Sequence, residues 1–170
     1  MVPRKYLILL ALTGMLTAFD QLFKFLVMSR FHLGESIVVL ENFFNLTRVH
    51  NAGAAFGLLA TLGPTWREPF FFVVPIAMLS VIFVVFYRLK ENQHLSIFSL
   101  SLIVGGAFGN LADRLRLGYV VDFLDFHWHE RMHFPAFNLA DSAICCGVFL
   151  LMVSLVFESE KNRQERAEGE

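Results

Sequence analysis

Two carboxyl groups held close together out of water can share one proton. The ionised one takes a proton from water, while the protonated one polarises a carbonyl, and a peptide bond can be hydrolysed. The sequence offers Asp141 for one role and Asp122 or Asp125 for the other, and spacing alone does not choose between the last two. Asn138 and Asp141 are three residues apart at the start of an apolar stretch, so on a helix they face the same way. A helix-start Asp is often only a dipole partner, but one placed at or below a membrane interface needs a further reason to be there.

A second chemistry competes. His129-Glu130-Arg131-Met132-His133 matches H-E-x-x-H, in which a helix brings two histidines onto one zinc ion and the Glu acts as base. Pro135 follows closely, and Phe126-His127-Trp128-His129 alternates like a strand. In a strand, residues 129 and 133 would stand about 13 Å apart, at about 3.3 Å per residue. No third ligand in helical register is evident. The histidines then read as interfacial and partly exposed, and no metal or cofactor is required.

Other polar residues gather near the carboxylates. Asp20 and Lys24 are four apart and can pair on one helix face. Gly105-Gly106-Ala107-Phe108-Gly109-Asn110 puts small residues along one stretch, for close helix packing or to leave room for a substrate near Asn110. Asp113 and Arg114 follow directly, and Asn51 lies in an earlier loop. Cys145 and Cys146 are adjacent, a poor geometry for a mutual disulfide, and read as small apolar helix residues.

The elements that carry these residues follow from composition. Of 170 residues, 56% are hydrophobic and only 17% charged, against about 45–50% and about 25% in soluble domains. Disorder is excluded, and a bilayer is the implied solvent. Net charge is −1 with no basic block, so nothing supports a nucleic-acid partner. Four apolar spans are expected at about 6–28, 70–87, 95–112 and 137–157, with a charged, disordered-looking tail at 158–170. The basic start and the apolar run that follows look like a signal peptide, but without a clear cleavage site the run reads as a retained first span. Lys and Arg are denser near the termini and the 88–94 connection, which places both termini in the cytoplasm. The loops at 29–69 and 113–136 then share the outer side. Both contain β-branched and aromatic runs that read as strands of a small sheet at the membrane surface. An ionisable residue within the bilayer costs about 2.5–3.5 kcal/mol or more, so its position is informative. Here such residues cluster at the outer ends of the spans.

Five motifs in order carry a resemblance. They are Asp20-Gln-Leu-Phe-Lys24, Asn51-Ala-Gly-Ala-Ala-Phe56, Gly105-Gly-Ala-Phe-Gly-Asn-Leu-Ala-Asp-Arg114, Val120-Val-Asp-Phe123 and Phe134-Pro-Ala-Phe-Asn-Leu-Ala-Asp-Ser142. With their spacing and the four-span layout, the chain resembles the lipoprotein signal peptidase (signal peptidase II) family over roughly residues 6–157. The resemblance implies an integral-membrane, mainly α fold: four transmembrane helices with a small extracytoplasmic β-cradle and a short amphipathic helix, for which residues 58–67 are the candidate. It implies a single peptidase domain over 1–157. The implied enzyme is an aspartyl endopeptidase of the bacterial inner membrane, cutting prolipoproteins just before a diacylglyceryl-modified cysteine. Asp122 and Asp141 stand at the family's catalytic positions. Asp20, Lys24, Asn51, Gly106, Asn110, Asp113, Arg114 and Asn138 stand at its other functional positions. Ala52 and Ala112 are smaller than the residues expected there. One chain carries both carboxylates, so a monomer suffices, with membrane lipids as its surroundings. The competing readings are the zinc protease at 129–133, a small ion- or proton-coupled transporter using Asp20, Lys24 and Asp141, and a membrane subunit without chemistry.

Overall fold

The computed structural model describes residues 2–53, 64–129 and 132–168. Four helices long and apolar enough to cross a bilayer lie among them: α1 (Arg4–Arg30), α2 (Pro64–Arg88), α3 (His94–Leu117) and α4 (Leu139–Glu168). Four antiparallel strands join them, β1 (Ser36–Leu40), β2 (Phe44–Asn51), β3 (Val120–Trp128) and β4 (Met132–His133), in the spatial order β1-β2-β3-β4. The strands follow the C-terminal ends of α1 and α3 and precede α4, so the sheet caps one end of the bundle.

α3 is the central helix, and the other three pack against it. Most of its length is buried, whereas α1, α2 and α4 expose Leu, Phe and Val side chains along their outer faces. That inside-out pattern suits lipid contact, since a bilayer solvates such faces as well as a protein core does. Small residues let α3 come close to its neighbours. Thr13 and Thr17 of α1 donate to the Ser101 and Gly105 carbonyls at 3.4 and 3.1 Å. A side chain at Gly106 would run into the Ala140 carbonyl oxygen of α4, and one at Gly109 would stand 2.6 Å from Asp20 Oδ2. The glycine stripe is therefore used for helix packing, the first of the two roles considered for it.

Helix ends differ from the expected spans for local reasons. α3 continues past 112 to Leu117 and stops where Gly118, at φ +79°, turns left-handed and returns its N–H to the Arg114 carbonyl. At the far end of the bundle, Lys5 is buried and donates to the Phe86, Tyr87 and Leu89 carbonyls at 3.3, 2.8 and 2.7 Å. An ammonium there satisfies the unpaired carbonyls of the α2 C-terminus and meets the negative end of its dipole. α4 runs on through Glu168, so the tail expected to be disordered is helical over most of its length. Its Glu, Lys, Arg, Gln and Ala residues are good helix formers, and an existing helix needs no new nucleus to extend. The amphipathic helix expected at 58–67 falls mostly outside the described residues, and its last four positions open α2.

Candidate active site

Strand alternation puts Asp122 and Asp125, which the spacing could not tell apart, on opposite faces of β3. Along β3, Val120, Asp122, Leu124 and Phe126 point to one face, and Val121, Phe123, Asp125 and His127 to the other. On the first face, Asp122 meets the side chains of Asn138, just before α4, and Asn51, at the end of β2. The second packs Val121 and Phe123 against Val27 of α1 and carries Asp125 away from Asp122.

Asn138 stands immediately before α4 and acts as its cap. Its side-chain oxygen accepts the Asp141 N–H at 2.9 Å, and the Asp141 carboxylate accepts the Asn138 N–H at 3.2 Å. This is the reciprocal arrangement of a capping box, made with Asn and Asp. It explains why the two residues are three apart and why α4 begins two residues after 137. The Asn138 amide nitrogen is then free for the strand, where it donates to Asp122 Oδ1 at 2.7 Å. One residue thus holds both carboxylates.

Each carboxylate has a second donor. Asn51, at the end of β2, gives its side-chain N–H to Asp122 Oδ2 at 3.0 Å, while its own oxygen accepts the Gly53 N–H. Asn110 of α3 donates to Asp141 Oδ1 at 2.7 Å. The Asn110 oxygen faces Lys24 Nζ at 3.1 Å and the Asn138 amide at 3.1 Å, so its amide orientation is fixed.

Behind this layer lies a buried ionic cluster. Lys24 pairs with Asp20 at 2.8 Å and Asp113 at 3.0 Å, and all three are at most 2% exposed. Asp20 Oδ1 accepts the Ala140 N–H of α4, and Asp113 Oδ2 accepts the Val121 N–H of β3. The cluster therefore ties α1 and α3 to the elements bearing Asp141 and Asp122. Gln21 donates to Asp113 Oδ1 at 2.8 Å, a partner that sequence reading missed although it adjoins Asp20.

Burial is the largest cause pushing the Asp122 carboxyl up to about 7, with the nearby Asp141 charge second. The Asn51 and Asn138 donors and Lys24 act the other way without cancelling it. A cavity of about 460 Å³ opens beside the pair, lined by Asn51, Asn110, Arg114 and Asp141, with Phe137 and Cys145 on its apolar walls. That volume lies in the usual range for ligand pockets. The Arg114 guanidinium stands 5.6 Å from the Phe71 ring centre. Cys145 is in α4 as expected, but its place on the cavity wall was not legible: one turn beyond Asp141 was the available signal.

The structure brings Asp20, Lys24, Asn51, Asn110, Asp113, Arg114, Asp122, Asn138 and Asp141 to one end of the bundle, with Gly106 at the α3–α4 contact behind them. Neither described end of the 129–133 segment is helical, whereas an H-E-x-x-H zinc site needs both histidines on one helix. His129 sits at φ +51° after β3, and His133 lies in β4. Glu130 is outside the described residues.

The family model for signal peptidase (SPase) II matches residues 12–157. The chain belongs to the signal peptidase II family. It is 47% identical over 142 residues to the lipoprotein signal peptidase of Geobacter sulfurreducens, covering 84% of this chain and 87% of that one. It is 46% identical over 152 residues to that of Syntrophotalea carbinolica, covering 88% and 91%. Two solved bacterial membrane enzymes share the fold. One is 32% identical with a TM-score of 0.75 over 91% of this chain and 94% of that one, and the other is 30% identical with 0.77 over 95% and 92%. As a signal peptidase II, the chain is a membrane-embedded protease, and the carboxylate-lined cavity is its candidate active site.

Proposed function

We propose that this signal peptidase II removes the signal peptide from diacylglyceryl-modified prolipoproteins, cutting on the N-terminal side of the lipidated cysteine by aspartyl chemistry. The observation that carries the reading is the Asp122–Asn138–Asp141 arrangement, with the Asp122 carboxyl pushed up to about 7 beside a second carboxylate. Relatives named lipoprotein signal peptidase supply the substrate class.

In this mechanism Asp122 holds the shared proton and Asp141 is ionised. Water attacks the scissile carbonyl carbon and gives its proton to Asp141, while Asp122 passes its proton to the carbonyl oxygen. The resulting diol collapses as the C–N bond breaks. The leaving nitrogen takes the proton from Asp141, and the re-forming carbonyl returns one to Asp122. Arg114 and Asn51, on the cavity wall, are donors for substrate carbonyls. Both termini are cytoplasmic and the sheet is on the outer side, so the acyl chains stay in the outer leaflet while the scissile amide reaches the interface. Enzyme and substrate then meet by diffusion in one plane.

The test is cleavage of a diacylglyceryl-modified prolipoprotein by purified enzyme in detergent, wild type beside Asp141→Asn, each with and without a zinc chelator. Cutting before the lipidated cysteine that ignores chelator and is lost in the folded variant supports the reading. Cutting that persists in Asp141→Asn, or that stops with chelator while the variant stays active, overturns it.

A further inference from the structure

The face of β3 turned away from Asp122 carries a second constellation that the proteolytic chemistry does not use. Asp125 and His127 are two apart on the strand and so share that face. His133 of β4 is the cross-strand partner of His127. The Phe134 N–H donates to the Phe126 carbonyl at 2.9 Å, which makes that pair hydrogen-bonded. The next pair, His127 with His133, is then of the non-hydrogen-bonded kind, in which side chains come closest. Their rings lie nearly parallel, 5.2 Å between centres. One ligand atom from each of Asp125, His127 and His133 falls within 4.8 Å of the others.

Two orphaned atoms adjoin this trio. His127 Nδ1 and Asn45 Oδ1 are both buried from solvent with no hydrogen-bond partner among the described residues. A buried ring nitrogen without a partner costs free energy that a bound cation would recover. Asn45 pairs across the strands with Asp125 and donates its amide to Asp125 Oδ2 at 3.2 Å, holding the carboxylate as outer-sphere partners of metal ligands do. His133 is exposed, which leaves an entry path.

We propose that Asp125, His127 and His133 form a binding site for one borderline transition-metal ion of the Zn²⁺ class. Two imidazoles and one carboxylate suit Zn²⁺, Co²⁺, Ni²⁺ or Cu²⁺, whereas Mg²⁺ and Ca²⁺ ask for oxygen ligands. Tetrahedral coordination at about 2.0–2.2 Å puts ligand atoms about 3.4 Å apart, so modest side-chain rotation closes the set. A water molecule or the Asn45 oxygen completes it. The site shares only His133 with the H-E-x-x-H pattern: His129 takes no part, and the ion lies across the sheet from Asp122. Its consequence is mechanical. The ion cross-links β3 to β4, and five residues after His133 the chain reaches Asn138 by way of Phe134, Pro135, Ala136 and Phe137, which line the cavity. Occupancy stiffens the cavity wall that leads into the cap.

The experiment titrates Zn²⁺ calorimetrically, and Co²⁺ by its visible absorption, into the full chain purified in detergent without a polyhistidine tag. It reads the metal directly and does not depend on cleavage. One Zn²⁺ per chain at low-micromolar affinity or tighter is expected. His127→Ala and His133→Ala should each weaken it more than about 100-fold, beyond the 10–100-fold typical of outer-sphere changes. His129→Ala should leave it intact. Metal-free thermal midpoints of the variants show that they fold. Absence of binding below millimolar Zn²⁺ in the folded wild type overturns the proposal. So does binding that survives the double variant His127→Ala/His133→Ala, or that is lost in His129→Ala.

Discussion

Asn138 and Asp141 cap each other: each accepts the other's backbone N–H, at 2.9 and 3.2 Å, and the Asn138 amide remains free to hold Asp122 at 2.7 Å. A helix start and a pair of reacting groups are thus built from the same atoms. Asn138→Ala removes the cap, which costs about 0.5–2 kcal/mol. It also removes a donor that lowers the Asp122 pKa. Stability should fall by about that amount in thermal unfolding. The limb of the pH–activity profile set by Asp122 should move to higher pH. A variant that loses stability with no change in the profile would separate the cap from the chemistry.

Asp122 and Asp125 are the pair that only the strand register separates. Asp122→Asn should lower the cleavage rate by at least about 10³-fold, in the range of a lost acid–base group. Asp125→Asn should change it by less than a few-fold, since its carboxylate meets Asn45 on the other face. Side-by-side cleavage by the two variants in matched detergent checks this, and equal losses would put the register in doubt.

How far the sequence reached can be judged from such particulars. Apolar run length located the four helices, because bilayer thickness fixes the length of a span, while α3 and α4 run past their expected ends to Leu117 and Glu168. Runs of β-branched and aromatic residues located the strands, because such side chains suit an extended backbone. The sequence left Asp122 against Asp125 open, since a nine-residue strand has two faces and nothing local says which one meets Asn138. Resemblance favoured Asp122, and the register separates the two, with Asp122 meeting Asn138 and Asp125 meeting Asn45. The Lys5 contacts were invisible for a different reason. Basic residues near a span's cytoplasmic end are common, and the carbonyls that bind Lys5 lie more than eighty residues away. The Asp125–His127–His133 group needed the β3–β4 hairpin, which the H-E-x-x-H pattern drew attention from.

The raised Asp122 pKa links activity and stability to pH. The folded state binds its proton up to about pH 7, whereas an unfolded Asp releases it near 3.8. A raised carboxyl contributes stability that is fully present below pH 3.8 and is lost as pH rises to about 7, by at most about 4 kcal/mol at 1.36 kcal/mol per unit. Thermal midpoints between pH 4 and 8 should therefore fall more steeply with pH in wild type than in Asp122→Asn, which has no proton to lose. The slope is the readout, because the new amide also rearranges the bonds from Asn51 and Asn138. The pH–activity profile should break near 7 as the pair loses its shared proton. Identical slopes in the two proteins would mean that Asp122 titrates normally.

Lys24 offers the sharpest test of the layer behind the site. It is 1% exposed and pairs with both Asp20 and Asp113, each also buried. Lys24→Met leaves two buried carboxylates without their cation, and losing one partner of such a cluster costs about 3–5 kcal/mol. The same change removes one of the two donors to the Asn110 oxygen and leaves the Asn138 amide alone to fix it, while the Asn110 amide holds Asp141. Thermal unfolding should show the lost stability, and cleavage should fall beyond what the unfolded fraction explains. Adding Asp20→Asn and Asp113→Asn to Lys24→Met removes the stranded charges and should restore much of the stability. Activity should stay below wild type, because Asn110 still lacks the Lys24 donor. If the triple variant regained activity along with stability, Lys24 would matter only as a counter-ion, and its contact with Asn110 would have no part in placing Asp141.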